Sequence, residues 1–262
     1  YFLNKKLDIT PGVALSHYSN FGSHFFPGID VGYTLKSGIK LFTNMGYTWR
    51  IPTYTDLYYV GTANIGNENL VPESALSYEV GAKYTHSHWH TNISWFSRKS
   101  SNLIDWIKDS KASDTSKWQP QNLNDLTIRG LDFNINLSGQ ALLGSNEILE
   151  NIQIGYTYID AEIPQYSNII SRYVLENLNH QLTVNIQHRI VGQLHHNLRL
   201  RYLDRASMAN YFVIDTKLFW EAEKYSFYLT INNLFNESYY ESNLVEMPDL
   251  WLFAGIKLKI PY

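Results

Sequence analysis

The chain is 262 residues long, carries a formal net charge of -3 and contains no cysteine. Disulfide frameworks, thiolate metal sites and a cysteine nucleophile are therefore excluded, and the near-neutral balance argues against nucleic-acid binding, which calls for a basic patch or stripe. Aromatic residues make up 15%, with 20 Tyr and 7 Trp, a content that girdles at two membrane interfaces would use. Mean hydropathy is -0.28, and no apolar run approaches the ~20 residues of a membrane helix. A transmembrane barrel, built from alternating segments of ~10 residues, stays open. The chain begins at Tyr1 without a methionine or signal peptide, and is expected to be a fragment or a processed form.

Alternation bounded by turn residues predicts about twelve strands. The first spans roughly Lys6 to Tyr18 and the second Pro27 to Leu35. In the third, Leu41, Thr43, Met45, Tyr47 and Trp49 share one face, and Lys40, Phe42, Asn44, Gly46, Thr48 and Arg50 the other. A long polar and aromatic loop comes next, Pro52 to Glu73, with no helical period. The fourth strand sets Tyr78, Val80, Ala82 and Tyr84 against Glu79, Gly81 and Lys83. The fifth runs from Trp89 to Asp105, the sixth from Leu123 to Leu137, and the seventh starts after Asn151. The remaining five centre on Val184, Leu200, Ile214, Leu229 and Ile256, the last reaching Tyr262.

The connections carry a second pattern. Tight turns at Lys36-Ser37-Gly38, Ser87, Val191-Gly192-Gln193 and Glu221 to Lys224 alternate with long ones at Pro52–Glu73, Ser100–Asn122, Asp160–Leu178 and Glu237–Leu250. Short on one end and long on the other is the outer-membrane barrel pattern. Ser138–Glu147 is long for the short side. A soluble β-sandwich or a small ligand-binding barrel would show the same alternation, but several strands run beyond ten residues where globular strands usually have about 5–6. The face carrying Leu131, Phe133, Ile135, Leu252, Ile256, Leu258 and Ile260 is expected to meet lipid.

Three blocks carry a family likeness: Arg50-x-Pro52-x-x-x-Asp56-Leu57-Tyr58, then Gly66-Asn67-x-x-Leu70-x-Pro72-Glu73, then Tyr78-Glu79-x-Gly81. In this order and spacing they resemble the signature of TonB-dependent outer-membrane receptors. The block Asn233-Leu234-Phe235-Asn236-x-x-Tyr239 and the terminal stretch Gly255 to Tyr262 resemble the family's last outer loop and closing strand. The final residue is Tyr rather than the usual Phe, and Pro261 precedes it, which a strand end tolerates. The likeness implies an all-β fold: an antiparallel transmembrane β-barrel portion of about 12 strands, the C-terminal part of a barrel of roughly 22 strands with a plugged lumen. Residues 1–262 are then one domain, with the plug and the N-terminal strands outside it.

The resemblance further implies a multi-pass protein of a Gram-negative outer membrane that imports its ligand with energy delivered by the TonB complex through the plug. Outer-membrane lipid is the other expected partner, nucleic acid is not one, and no cofactor or resident metal is expected. By the same likeness, Gly255, Leu258, Ile260 and Tyr262 belong to a membrane-insertion signal. The segments Asn102 to Trp106, Trp118 to Leu123 and Arg129-Gly130-Leu131 resemble cobalamin receptors more than siderophore receptors, so cobalamin or a related corrinoid is the expected ligand, with a ferric siderophore as the alternative. A passive pore or a structural barrel is the alternative of another class. Ligand contacts are expected from Tyr54, Tyr58, Tyr59, Asp105, Trp106, Trp118, Gln119 and Asn122, with Tyr166 and Tyr173 as further loop aromatics.

No catalytic constellation stands out, and the chain is read as a non-enzyme. His86, His88 and His90 share one strand face, a conceivable metal site. No carboxylate sits beside them, whereas ligating histidines normally have one or another outer partner, so a polar barrel rim is the preferred reading. Glu73 and Glu79 are assigned to the lumen or rim network rather than to acid–base chemistry.

Overall fold

The computed structural model describes residues 2–4, 6–35, 38–111, 116–123, 125–144, 148–162, 168–172, 178–206, 208–242 and 245–258. The strands in chain order are β1 (Phe2–Asn4), β2 (Leu7–Tyr18), β3 (Gly22–Thr34), β4 (Ile39–Arg50), β5 (Glu73–His86), β6 (Trp89–Ser101), β7 (Leu103–Asp109), β8 (Gln119–Leu123) and β9 (Leu126–Ser138). They continue as β10 (Leu149–Glu162), β11 (Ile169–Ser171), β12 (Leu178–Val191), β13 (Leu194–Arg205), β14 (Met208–Glu221), β15 (Tyr225–Asn232), β16 (Tyr240–Ser242), β17 (Val245–Glu246) and β18 (Trp251–Leu258). Two five-residue helices complete the set, α1 (Tyr54–Tyr58) and α2 (Gly139–Leu143). Thirteen strands hydrogen-bond in the order β1-β2-β3-β4-β5-β6-β9-β10-β12-β13-β14-β15-β18. Beside them lie a three-stranded sheet, β11-β7-β8, and the pair β16-β17.

The twelve expected strands are all present, and the short β1 is added to them. The expected fifth strand ends early. It stops at Ser101, because Asn102 takes φ 54, a left-handed conformation that asparagine tolerates better than most residues. Beyond Asn102 the chain enters β7, which pairs with β8 and β11 in a separate sheet. The expectation of a loop without helix between β4 and β5 is corrected by α1, whose five residues are too short to leave a periodic trace. Between β9 and β10 the over-long turn on the short side holds α2. Elsewhere the turns are tight: Val191 pairs with Leu194 across a two-residue loop in which Gly192 has φ 55, as primed hairpin turns require.

The chain forms two compact units: residues 1–82, 94–131 and 159–177, and residues 83–93, 132–158 and 178–262. In the first unit, register aligns Leu7 with Tyr33 and Leu41, and Pro11 with Ile29 and Met45. One residue along, on the opposite face, Thr10 aligns with Asp30 and Asn44. In the second unit Ile152, Ile186, Leu198, Thr216, Ile231 and Leu252 form one cross-strand row. The next row, on the other face, is Gln153, Asn185, Arg199 and Asp215. A one-residue slip would exchange the faces, so the pattern fixes the register.

Nothing among the described residues covers the apolar rows. Leu252, Ile256 and Leu258 are 61%, 64% and 69% exposed. The buried apolar residues lie elsewhere. Leu70, Ile104, Trp106, Ile107, Leu123 and Leu126 sit in and around the loop sheet of the first unit. Leu203, Tyr211, Val213 and Tyr239 form a cluster in the second, where the Tyr239 ring packs at a tilt against Tyr211, 4.6 Å between centroids, and lies under the Arg201 guanidinium.

Gly255 faces Tyr228 across the β15–β18 pair, and a Cβ there would stand 2.4 Å from the tyrosine ring. The glycine leaves room for that ring. Ile260, Pro261 and Tyr262 of the expected insertion signal, and Tyr166 and Tyr173, lie outside the described residues.

Mid-strand positions of the apolar face should tolerate charge least. In bilayer-inserted protein, Leu200→Arg, in the row that joins Val184 to Ile214, should cost ~2–4 kcal/mol, and Leu258→Arg, at a strand end, only ~0–1 kcal/mol. Reversible unfolding from lipid vesicles measures both. Equal costs would show that the apolar face does not lie across a bilayer.

Candidate functional site

The long connections of the first unit converge on one network. Arg50, the last residue of β4, and Glu73, the first of β5, pair through two parallel bonds: Arg50 Nε donates to Oε1 at 2.9 Å and an Arg50 terminal nitrogen to Oε2 at 3.1 Å. The Ile104 backbone N–H adds a third bond to Glu73 Oε2 at 3.0 Å. Planar two-point pairing is what guanidinium and carboxylate geometry favour. Arg50 also stands 3.7 Å from Asp56.

Asp56 is the second node. The Thr53 backbone N–H and hydroxyl donate to its Oδ2 at 2.9 and 2.7 Å, while the Thr53 hydroxyl accepts the Asp56 N–H at 3.1 Å. This capping box starts α1. The remaining oxygen, Oδ1, accepts the indole N–H of Trp106 at 3.0 Å. The motif residues explain themselves around it. Gly66 is packed so closely on the Leu57 carbonyl that a Cβ would stand 2.6 Å away. Its N–H donates to Tyr59 O, and Asn67 N–H donates to Asp56 O. Leu70 and Pro52 are buried, and Pro72 leads the chain half-buried into β5. Glu79 ties β5 to β4, accepting Asn44 Nδ2 at 3.1 Å and, through its carbonyl, the Thr43 hydroxyl at 2.9 Å.

The loop sheet is fastened to this root by asparagines. Asn122 donates to Val71 O at 2.8 Å and Asn102 O at 2.7 Å, and accepts from the Val71 N–H at 2.9 Å. Asn67 Nδ2 reaches Pro120 O at 3.1 Å. Asp105 is completely buried and accepts a bond from the Ser171 hydroxyl that holds β11 on β7.

The expected ligand-contact residues thus divide. Asp105 and Trp106 are buried and Asn122 is spent on backbone groups, so these three hold the loops rather than offer themselves to solvent. Tyr54, Tyr58 and Tyr59 are exposed by 79%, 43% and 46%, and Tyr54 and Tyr58 pack ring against ring at 5.0 Å on α1. Trp118 is half-buried with its face under Arg172 at 4.7 Å. Gln119 lines a cavity of 340 Å³ with Ile107, Lys108, Asp109, Lys117 and Asn168. Sequence reading missed Thr53, Asn64, Ser171 and Arg172. The Thr53-x-x-Asp56 capping spacing was a usable signal for the first. The others join partners far away in sequence and left none.

In the second unit the polar face forms a groove of 420 Å³ lined by Lys83, His90, Asn92, Asn134, Asn136 and Gln153, among others. His86 stacks on Tyr84 and bonds to Ser87. No group of three or more potential metal ligands assembles among the described residues.

Residues 1–234 match the family model described as TonB dependent receptor-like, beta-barrel. The chain belongs to the TonB-dependent receptor family. Its relatives include the vitamin B12 transporter BtuB of Photobacterium profundum, 24% identical over 143 residues, which are 55% of this chain and 22% of that protein. The ferrienterobactin receptor of Escherichia coli is 22% identical over 159 residues, 53% of this chain and 21% of that protein. The siderophore receptor PirA of Pseudomonas aeruginosa shares the fold with a TM-score of 0.73 at 18% identity, over 97% of this chain and 44% of that one. The chain thus aligns with about a fifth of the length of these curated relatives. The proteins matched here are named as vitamin B12 transporters, siderophore receptors and, among the solved structures, a copper transporter.

Arg50 and Glu73 stand at the loop-side ends of their strands, past the ~9–11 residues that a tilted strand uses to cross a bilayer. Burial pushes the Glu73 carboxyl up, but the Arg50 bond, the Ile104 N–H and the charges of Arg50 and Arg98 together hold it below the ordinary carboxylate range. The Glu73 bond conversely raises the Arg50 guanidinium. A lowered carboxylate stabilises the fold fully above its unfolded value, and that contribution is lost as pH falls through the folded value. Protection of the Leu57, Tyr59 and Asn67 amides, relative to their intrinsic exchange at the same pH, should therefore fall on acidification below the ordinary carboxylate range in the native receptor and much less in Glu73→Gln. Asp56→Ala should weaken the same amides by ~1–3 kcal/mol at neutral pH, because it strands the Trp106 indole donor. Unchanged protection in Asp56→Ala would rule out the Asp56 node as what fastens the loop.

Proposed function

We propose that the chain forms the C-terminal strands and outer loops of an outer-membrane receptor that imports cobalamin or a related corrinoid with energy from the TonB complex. The observation that carries this is the loop platform of the first unit. Exposed Tyr54, Tyr58 and Tyr59, with Trp118 and Gln119 in the same set of loops, stand on a root of charge pairs around Arg50 and asparagine clamps. Rigid aromatic surface with a few polar groups is what binds a large, partly planar ligand. Two of the matched relatives are named as vitamin B12 transporters, which favours the corrinoid. The orientation follows from parity: with the last strand running toward the periplasm, every connection that carries the platform falls on the outer side. The ferrienterobactin receptor among the relatives supports a second reading, a ferric siderophore as ligand.

Uptake of labelled cyanocobalamin by Gram-negative cells carrying the intact receptor tests this. Trp118→Ala should reduce uptake with the surface amount unchanged. Trp106→Ala should instead lower the amount of folded receptor, since it leaves Asp56 without its indole partner. Loss of ferric-chelate uptake with cobalamin uptake intact would keep the receptor reading and overturn the corrinoid.

A further inference from the structure

We infer that Arg172 is the residue that receives a negatively charged oxygen group of the imported ligand, an inference that rests on the receptor reading above. Arg172 comes directly after β11, and its backbone N–H donates to Trp106 O at 3.0 Å. Its guanidinium carbon lies 4.7 Å from the centre of the Trp118 ring and 6.0 Å from that of Trp106. One terminal nitrogen makes a long bond of 3.4 Å to Asn64 Oδ1. Asn64 is placed for this by its own bridge to Trp118.

Among the described residues, Arg50, Arg129, Arg189 and Arg201 pair with carboxylates, at distances of 2.5 to 3.7 Å. Arg172, like Arg98, Arg199 and Arg205, forms no ion pair with a described carboxylate; what marks it among these four is the pair of indole rings against its guanidinium. Of the two carboxylates of the neighbouring β7 strand, Asp105 is fully buried and engaged by Ser171, and Asp109 accepts the Lys111 N–H at 2.8 Å. A guanidinium has five N–H donors in one plane, and of these only the long Asn64 bond is used by a described protein acceptor. Two indoles lie against the cation and orient it, which leaves its donor edge directed in plane. Such an edge matches the paired oxygens of a carboxylate, phosphate or catecholate. Trp118 and Arg172 then act together: ring surface and cation.

Both ligand sources proposed above carry the required group. Cobalamin bears a phosphodiester in its nucleotide tail, and a ferric tris-catecholate is an anion throughout. The experiment measures equilibrium binding to the detergent-solubilised intact receptor, native and Arg172→Gln, with four probes: cyanocobalamin, cobinamide (which lacks the phosphodiester), ferric tris-catecholate and a neutral ferric tris-hydroxamate. Arg172→Gln should weaken the anionic member of whichever pair binds by roughly ten- to a hundredfold, the range of a charge-assisted hydrogen bond, and leave the neutral member within about twofold. Added salt should weaken the same probe in the native receptor and not in the variant. Arg172→Lys, which keeps charge but loses the flat stacking surface, should fall between. Equal loss for the charged and neutral members, or no loss for either, overturns the inference and leaves the receptor reading standing. A native receptor that binds none of the four overturns the receptor reading itself.

Discussion

A sheet one layer deep with an apolar face and nothing of its own to cover it is the constraint on which everything else depends. The row from Ile152 to Leu252 has no facing layer among the described residues, and the same holds for the Leu7–Tyr33–Leu41 row of the first unit. In water such rows would seek a partner. In hydrocarbon they are already among their own kind, and the backbone is satisfied by neighbouring strands, as a bilayer demands of any segment that enters it. The composition reflects this. Every second residue can be Asn, Gln, Arg or Asp on the other face, so mean hydropathy stays low although the protein is built for lipid.

With the apolar sheet rows uncovered among the described residues, the long loops need their own anchorage. The first unit supplies it at the strand ends, where Arg50, Glu73 and Asp56 gather charge, helix start and indole within one network. The second unit supplies it by laying Tyr239 on Tyr211 and Val213 beside the Arg201–Asp215–Glu241 charges. In both, the buried apolar residues serve the loops and the sheet is left to its solvent. That division reverses the plan of a soluble domain, in which the sheet faces are buried and the loops are solvated.

The strands were legible because alternation with period two is a local property, printed in each segment. So was the alternation of long and short connections. The loop interiors were not. β7, β8 and β11 are joined across large sequence distances, and a positive φ at Asn102 is invisible to periodicity. The motif Arg50 to Glu79 coincides with the network at the strand ends, but its residue types did not say which would be exposed. Trp106 and Asp105 look like ligand contacts in a sequence, since an aromatic and an acid in a loop usually face water. Only their partners, Asp56 and Ser171, reveal that they face inward. Arg172 carried no signal, because the groups that hold it, Trp106, Trp118 and Asn64, lie far from it in sequence.

The asparagine clamps bear on how such a receptor changes over generations. Asn122 and Asn67 bind backbone atoms of Val71, Asn102 and Pro120 rather than side chains, so the identity of those neighbours matters little to the clamp. Lengthening a surface loop between such clamps costs little closure entropy. Selection can therefore rewrite the loop tips while the root stays folded. Inheritance of the scaffold is in this way decoupled from inheritance of the tips.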